Sequence, residues 1–441
     1  MCGASRTHFA GASIIETGES GDLYQLKAIR NKFADEWEFR KICDQYSDFS
    51  TGRSVLHHAV GIGHFDVCKF LINTVRVDID VLTYKRDTPL TEAAKRGHVK
   101  IVEFLVKHGA EISLPNIEGF TALHYAALNN NRELVELLRI KGAHIETDSV
   151  DRTPLQVAAS RGNVEAVKSL LSHGANPNFS CAVVDTPLVC AVKSRSFECL
   201  KLLLEGKADP NFYVAGLSPM QCAAKEGDTK FLEYLLKAKG DPNSSDKDIH
   251  RPIEEAALVH NRAAVEVLFP VTERLAHYPN WTVDGIIEYT HSEEYKKMSQ
   301  EKLTKRLSVI DFGGLLDAGN KNYYRAIFHY RMASHLDPSN ATWVSTRSMW
   351  EARTHKSINA LLDAQQCFRL KPHCPVPYHR GDNAAAANEI FKKFLKAGLA
   401  FLLDPYERKK CHAFRITMFD YFAWLSQMSS AEEILSFSCD D

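Results

Sequence analysis

The sequence lacks several features that mark whole classes of protein. Its 54 Lys and Arg residues almost balance its 55 Asp and Glu residues, so no overall charge attracts nucleic acid or anionic lipid. The N-terminal stretch MCGASRTHFAGAS has no apolar signal core, and no run approaches the roughly 18 apolar residues of a membrane span. We therefore expect a cytoplasmic or nuclear protein, or both, with no nucleic-acid partner and no membrane insertion.

Paired cysteines are also missing. The chain has 11 cysteines, but none form a Cys-x-x-Cys pair, and no Cys and His spacing matches a zinc site. In a reducing compartment, such cysteines are typically small buried side chains. The sequence therefore predicts no metal ligands.

Catalytic motifs are absent in the same way. Asp311-Phe312-Gly313 matches the metal-holding triplet of protein kinases, but no Gly-rich nucleotide loop and no His-Arg-Asp segment accompany it. The sequence has no Ser/His/Asp grouping, no paired-carboxylate motif and no Walker loop. It predicts a protein that is not an enzyme and has no cofactor. The alternative is an active site assembled from residues that are distant in sequence.

What the sequence does contain is a repeating unit of about 33 residues. One copy reads DTPLTEAAKRGHVKIVEFLVKHGAEI, and four others resemble it closely. A weaker copy precedes them and a degenerate copy follows. The seven copies begin at Arg53, Asp87, Phe120, Arg152, Asp185, Leu217 and Arg251.

Each copy contains the signals of two short helices. Thr153 supplies a hydroxyl at the start of the first helix, and Pro154 sets φ for its first turn. The paired alanines Ala158 and Ala159 let neighbouring helices approach closely, and Gly162 permits the tight turn to the second helix. One unit cannot bury its apolar stripe alone, so the copies must stack.

This pattern resembles the ankyrin repeat over residues 51–270, as an array of about seven repeats behind a helical cap at 1–50. The resemblance implies that a partner protein binds to the concave face, formed by loop tips and exposed positions of the first helices. In this sequence those positions are Asp87, Lys95, Arg96, Phe120, Leu128, Asn129, Arg152, Ser160, Arg161, Asp185, Lys193, Leu217 and Lys225.

The pair of residues that ends each first helix contains a cation in four of five copies. One hypothesis is a mildly basic groove, with Phe120 as an aromatic anchor, that accepts an acidic or extended segment. The alternative is that these are ordinary solvated positions, where Lys and Arg are common.

The last third shows repeats of a second kind. Ala326, Tyr330, Ala333 and Pro338 follow a small-aromatic-small pattern, and Pro372 and Pro405 continue a spacing near 34 residues. The pattern resembles the tetratricopeptide repeat. It predicts a linker at 271–306, a degenerate domain of about three repeats at 307–405, and a helical tail at 406–441. The whole order resembles the plant ankyrin–tetratricopeptide proteins.

Tetratricopeptide domains often hold the C-terminal carboxylates of heat-shock chaperones in a clamp of Lys, Asn and Arg residues. At the matching positions this chain has Asp311, Leu315, Thr346 and Val376, and only Arg380 is retained. Each lost charged hydrogen bond is worth about 1.5–3 kcal/mol. The sequence therefore disfavours a chaperone adaptor. It favours an all-α, noncatalytic protein-binding scaffold or adaptor, whose partner and oligomeric state it does not specify.

Overall fold

A computed structural model describes residues 2–353 apart from 49, 148–151, 180–184, 214–216, 245–249 and 321, together with residues 363 and 366. These residues form helices and turns with no strand, as the all-α prediction requires. The described residues fall into two compact units, one that ends at Ala122 and one that begins at Leu123. The predicted tail at 406–441 lies outside the described residues.

The first unit contains the predicted cap and two helix pairs of the array. Its helices are α1 (Cys2–Ser20), α2 (Leu23–Arg30), α3 (Glu36–Gln45), α4 (Val55–Ile62), α5 (Phe65–Phe70), α6 (Pro89–Arg96) and α7 (Val99–Lys107). A π-helical turn at Leu71–Val75 continues α5. The cap packs against the array, since α1 contacts α4 and α2 contacts α5.

The second unit contains five helix pairs followed by four further helices; only the first residue of α8 belongs to the first unit. The helices are α8 (Ala122–Leu128), α9 (Arg132–Ile140), α10 (Pro154–Arg161), α11 (Val164–Ser172), α12 (Pro187–Lys193), α13 (Phe197–Glu205), α14 (Pro219–Glu226), α15 (Thr229–Lys237), α16 (Pro252–Leu258), α17 (Arg262–Leu268), α18 (Val283–Thr290), α19 (Glu293–Gly319), α20 (Tyr323–Leu336) and α21 (Ala341–Arg353).

The α10–α11 pair shows how the repeat sequence specifies its own structure. The Thr153 side chain accepts a hydrogen bond from the Gln156 backbone, and the Gln156 side chain accepts one from the Thr153 backbone. This capping box satisfies N–H groups that have no partner within the helix. Gly162 ends the helix at φ 69°, a left-handed conformation that glycine adopts without strain.

Neighbouring repeats of the second unit are joined by one recurring side-chain bond. His124 Nε2 lies 3.1 Å from the Arg152 carbonyl, and Gln156 and Gln221 donate at the equivalent position to the carbonyls of Asp185 and His250. His57 does the same in the first unit, 3.0 Å from the Asp87 carbonyl. Each of these side chains is buried, so the bond satisfies a side-chain polar group that has little access to water.

Asparagines link the loops of the second unit in a similar way. Asn178 donates to the Lys207 carbonyl and accepts from the Asp209 backbone N–H. Asn211 repeats this arrangement one repeat later. Asn243 then accepts from the backbone N–H of Glu273, beyond the last helix pair. The ladder therefore continues past residue 270, where the array was predicted to end.

The predicted linker at 271–306 is largely helical and is anchored to the last repeat by a few buried side chains. Tyr278 and Tyr295 are each 1% exposed, and both hydroxyls bond to Glu254 of the last repeat. Helix α19 then runs through residue 306, where the linker was predicted to end. The difference arises because aromatic side chains in this segment bury themselves against the last repeat, which a charge-rich sequence does not reveal.

Helices α19, α20 and α21 form a packed group. A side chain added at Gly313 or Gly314 would meet His329 or Tyr330, so these glycines allow α19 and α20 to lie close together. The Tyr330 hydroxyl donates to Asp311, and Arg331 donates to buried Glu351 over 2.9 Å. Burial and nearby Asp363 raise the pKa of Glu351 to about 7.

Candidate protein-binding surface

In the first unit, Asp87 is buried although it was predicted to face a partner. It is 6% exposed, and its carboxylate accepts a hydrogen bond of 2.9 Å from the Asn116 amide. Burial raises the pKa of Asp87, partly offset by the bond from Asn116. Asp87 therefore joins adjacent loops instead of offering its carboxylate to a partner, which corrects the prediction for this residue.

A buried carboxylate lies beneath the predicted cations of the first unit. Glu92 is 1% exposed and forms ion pairs with Arg53 and with Arg96, the latter over 3.2 Å. Burial alone would raise the pKa of Glu92, but Arg53, Arg96 and Lys95 outweigh it and hold the pKa below its usual value. The exposed Lys95 and Arg96 thus carry less net positive charge than their sequence indicates.

Phe120 is half-buried, and its backbone N–H donates to the Asn116 side chain. Asn116 therefore connects Asp87 and the chain around Phe120. The sequence pattern did not single out Asn116 or Glu92, because polar side chains at such positions usually face water.

In the second unit, the predicted surface includes an ion pair. Lys193 Nζ lies 2.7 Å from Asp185 Oδ2, with the lysine side chain 40% exposed and the aspartate 14% exposed. Burial would lower the pKa of Lys193, but Asp185 outweighs this and raises it. The prediction named both residues as separate contacts, whereas the structure joins them.

The other predicted residues of the second unit differ in exposure. Asn129, Arg161 and Lys225 are exposed, whereas Leu128, Arg152, Ser160 and Leu217 are half-buried. Ser160 donates its hydroxyl hydrogen to the Val157 carbonyl. Arg161 and Lys193 end α10 and α12, and Lys225 is the next-to-last residue of α14, so a cation recurs near the end of the first helix in three consecutive repeats of this unit.

One further ion pair lies near these cations and was not predicted. Arg195 Nη2 lies 3.3 Å from Glu226 Oε2 and also approaches the Glu226 carbonyl. The residues are 31 positions apart, so the pair joins two repeats. The repeat length itself could have indicated it, because residues one period apart lie next to each other in a stack.

The three clamp positions that the structure describes in the C-terminal helices offer no cation to a carboxylate. Asp311 accepts a bond from Tyr330, Leu315 is exposed, and Thr346 is buried with its hydroxyl on the Thr342 carbonyl. Val376 and the residual clamp residue Arg380 lie outside the described residues. The described positions therefore give no support to a chaperone adaptor.

Among the residues that the structure covers, no group of three or more His, Cys, Asp and Glu side chains could hold a metal ion. Within the same part of the chain, no helix is both long and apolar enough to cross a membrane. Cys43, Cys68, Cys190, Cys199 and Cys222 are free and buried, as predicted. Burial raises the pKa of the Cys190 thiol to about 12, so it stays protonated at neutral pH.

Comparison with known families confirms the predicted array. A model of ankyrin repeats in three copies matches residues 26–116, 56–149 and 123–214, and a model of a single ankyrin repeat matches residues 215–247. Together the matches cover residues 26–247, half of the chain. They begin within the predicted cap at 1–50. The likeness of the C-terminal helices to tetratricopeptide repeats stays a prediction.

Several curated relatives share the array. The chain is 30% identical over 201 residues to ankyrin repeat protein nuc-2 of Neurospora crassa, covering 37% of this chain and 19% of that protein. It is 25% identical over 199 residues to the probable E3 ubiquitin-protein ligase XBOS32 of Oryza sativa, covering 38% of each. It is 26% identical over 196 residues to the E3 ubiquitin-protein ligase XBAT32 of Arabidopsis thaliana, covering 38% of this chain and 37% of that protein.

The chain thus spans less than two-fifths of the length of these relatives. Among solved structures, the human ASB11 ankyrin repeat domain aligns with a TM-score of 0.47 and 24% identity, over 51% of this chain and 100% of that one.

These relatives correct one prediction. The prediction that the chain is not an enzyme is wrong, because two relatives with an array of the same kind are named as E3 ubiquitin-protein ligases. The matches fall on the ankyrin repeats. The presence of an ankyrin array in a protein therefore does not exclude that the protein is an enzyme. The prediction of a scaffold therefore holds only as protein binding, without the restriction to a noncatalytic role.

Proposed function

Because the chain belongs to the ankyrin-repeat family, we propose that it is a protein-binding scaffold or adaptor whose array holds an acidic, extended segment of a partner on its concave face. The observation that carries this proposal is the recurrence of Arg161, Lys193 and Lys225 near the ends of α10, α12 and α14. Arg161 and Lys225 are exposed, and Lys193 is partly exposed beside Asp185.

The energetics favour an extended partner over a compact one. A single exposed ion pair contributes only about 0.2–1 kcal/mol, and salt screens it. Useful affinity therefore requires a segment that reaches several repeats at once. Lys193 and Lys225 occupy the same repeat position, and Arg161 lies one position further along its helix. A partner with regularly spaced carboxylates would therefore meet one cation in each of three repeats.

The test uses the full chain and a fluorescein-labelled oligoglutamate peptide in an anisotropy titration. The variant Arg161→Glu/Lys193→Glu/Lys225→Glu should weaken binding at least tenfold. The matched control is Lys168→Glu/Lys230→Glu/Lys237→Glu, which changes the charge equally through exposed positions on the second helices α11 and α15. We expect less than a twofold effect from the control. Equal losses in both variants would show that only net charge matters and would overturn the proposal.

A second candidate function draws on the relatives. Because XBOS32 and XBAT32 are named as E3 ubiquitin-protein ligases, we propose as an alternative that the array recruits substrates for ubiquitin transfer. An assay with the full chain, ubiquitin, activating enzyme and a panel of conjugating enzymes tests it. Ubiquitin chains that depend on this protein would support the alternative, and their absence across the panel would count against catalysis by this chain.

A further inference from the structure

Four large apolar side chains of α19 are exposed within eight residues. Val309 is 66% exposed, Phe312 68%, Leu315 44% and Leu316 56%. At 100° per residue they lie on one face of the helix, within an arc of about 120°. We call this set the α19 stripe. Scattered single apolar residues on a surface are ordinary, but a contiguous row is typical of an interaction site.

The fold already uses the other sides of α19. Near its start, Tyr295 is buried against the last repeat and bonds to Glu254. Near its end, Gly313 and Gly314 lie against α20 and Ile310 is buried. The α19 stripe is therefore the side of the helix that these contacts leave exposed.

The turns before the stripe are polar and net cationic. The same side of α19 lines a shallow depression with Lys297, Gln300, Glu301, Thr304, Lys305 and Ser308. Between residues 293 and 308 there are five cations and three anions, and one of those cations, Lys296, pairs with Glu293. Lys297 and Lys305 are exposed on this side. A partner that lies along α19 would contact apolar side chains near the C-terminal end of the helix and positively charged side chains closer to its N-terminal end.

We propose that the α19 stripe is a second binding surface, separate from the ankyrin face, for an amphipathic helix of a partner protein with carboxylates at one end. The stripe extends over seven residue steps, about 10 Å, which matches apolar anchors at i, i+3 or i+4, and i+7 of one helix. The carboxylates of the bound helix lie next to Lys305 and Lys297.

The size of the stripe favours a short helix over a second copy of this chain. A stable symmetric interface needs roughly 800 Å² from each partner. One fully buried aromatic side chain supplies about 150–250 Å², and four partly exposed side chains fall short of the requirement. A helix with three anchors needs no larger surface, and charge at one end fixes its direction.

The probes are two fluorescein-labelled helical peptides with the same apolar i, i+3, i+7 anchors, one ending in three Glu and the other in three Lys. Both are amidated at the C-terminus, so that binding of a terminal carboxylate is excluded. Anisotropy titrations use the full chain, its variants Phe312→Glu and Lys305→Glu, and the control Ile140→Glu, which changes a 76% exposed residue of α9. Circular dichroism verifies the fold of each variant.

We expect the Glu-ended peptide to bind at least fivefold more tightly than the Lys-ended one, and Phe312→Glu to weaken both at least tenfold. Lys305→Glu should reverse the preference, and Ile140→Glu should change nothing. Equal binding of the two peptides, or equal losses in Phe312→Glu and Ile140→Glu, would overturn the proposal. So would light scattering that shows a dimer of the full chain which Phe312→Glu converts to a monomer. The variant Arg161→Glu/Lys193→Glu/Lys225→Glu, which reverses charges on the ankyrin repeats, should leave these results unchanged. The experiment therefore distinguishes this proposal from the preceding one.

Discussion

The Tyr295 hydroxyl donates a hydrogen bond of 3.1 Å to Oε1 of Glu254, and both side chains are buried. Glu254 belongs to the last helix pair of the array, whereas Tyr295 lies 41 residues later in α19. Tyr278 donates to the same oxygen over 3.2 Å, and the Arg251 backbone N–H donates to the other. Burial alone would raise the pKa of Glu254, but His277, the Arg251 backbone N–H and His250 outweigh it and lower the pKa. The segment after the array is therefore a C-terminal cap of the array.

Removing one hydroxyl tests this cap. In Tyr295→Phe, the buried Glu254 carboxylate loses one donor while the ring keeps its packing. Hydrogen bonds to charged groups contribute about 1.5–3 kcal/mol, so we expect a loss of that order in the free energy of unfolding by urea. Tyr289→Phe is the control, because Tyr289 is a half-buried tyrosine whose ring lies 5.8 Å from that of Tyr295, and its effect should stay within about 0.5 kcal/mol. Equal effects would contradict the role of the Glu254 bond.

The histidine bonds between repeats predict that the stability of the fold depends on pH. Burial lowers the pKa of His124 to about 4, although its bond to the Arg152 carbonyl acts in the opposite direction. The unfolded chain, with a His pKa near 6.5, therefore binds a proton that the folded chain excludes. Stability is complete above about pH 6.5 and falls as the pH decreases toward 4. At pH 5 one such histidine costs about 2 kcal/mol.

The repeats themselves supply the variant that isolates this effect. Gln156 and Gln221 occupy the position of His124 and make the same bond without titrating. His124→Gln should keep the stability of the native protein near pH 7 and retain about 2 kcal/mol more of it at pH 5. Urea denaturation at both pH values measures this. An unchanged pH dependence would mean that other groups, such as the equally buried His57, dominate the acid response.

The sequence predicts the array because one repeat pattern recurs in five clear copies and two weaker ones. Thr-Pro at the helix start, paired alanines and a glycine at the turn each specify local structure. In the folded array, His57 and His124 bond to carbonyls of the next repeat. By contrast, the burial of Asp87 depends on Asn116, one loop further on. Such pairings between loops are specific to each copy, so a repeat pattern does not reveal them.

The boundary after the array was harder to predict for a related reason. The stretch around Tyr278 and Tyr295 carries many charges, and charge in a sequence usually indicates a solvated helix. Its anchoring partner, Glu254, is an acidic residue inside the degenerate last repeat, where the template predicts no function. A buried carboxylate and two distant tyrosines become a recognisable unit only when the chain is folded.

The contact between α19 and α20 gives a prediction with a clear sign. Replacing a helical glycine by alanine usually stabilises a helix by about 1 kcal/mol. At Gly314, however, an added Cβ would lie 2.8 Å from the Tyr330 ring, which is fully buried and cannot move freely. We expect Gly314→Ala to destabilise the helices by about 1–3 kcal/mol. Thermal unfolding followed by circular dichroism tests the sign, and a rise in melting temperature would contradict the close packing.

The Lys193–Asp185 pair offers a variant that should strengthen the binding of an acidic segment to the ankyrin repeats. Asp185 partly neutralises Lys193, because their charged atoms are 2.7 Å apart. If an acidic segment binds there, Asp185→Asn should strengthen its binding about two- to fivefold, since an exposed ion pair is worth about 0.2–1 kcal/mol. Lys193→Ala should weaken it by a similar factor, and both effects should shrink at 0.5 M salt because charges are then screened. Glu198→Gln removes an exposed carboxylate from the second helix α13 and is the matched control. If Asp185→Asn and Glu198→Gln strengthen binding equally, the peptide responds to total charge and not to the row of cations on the first helices.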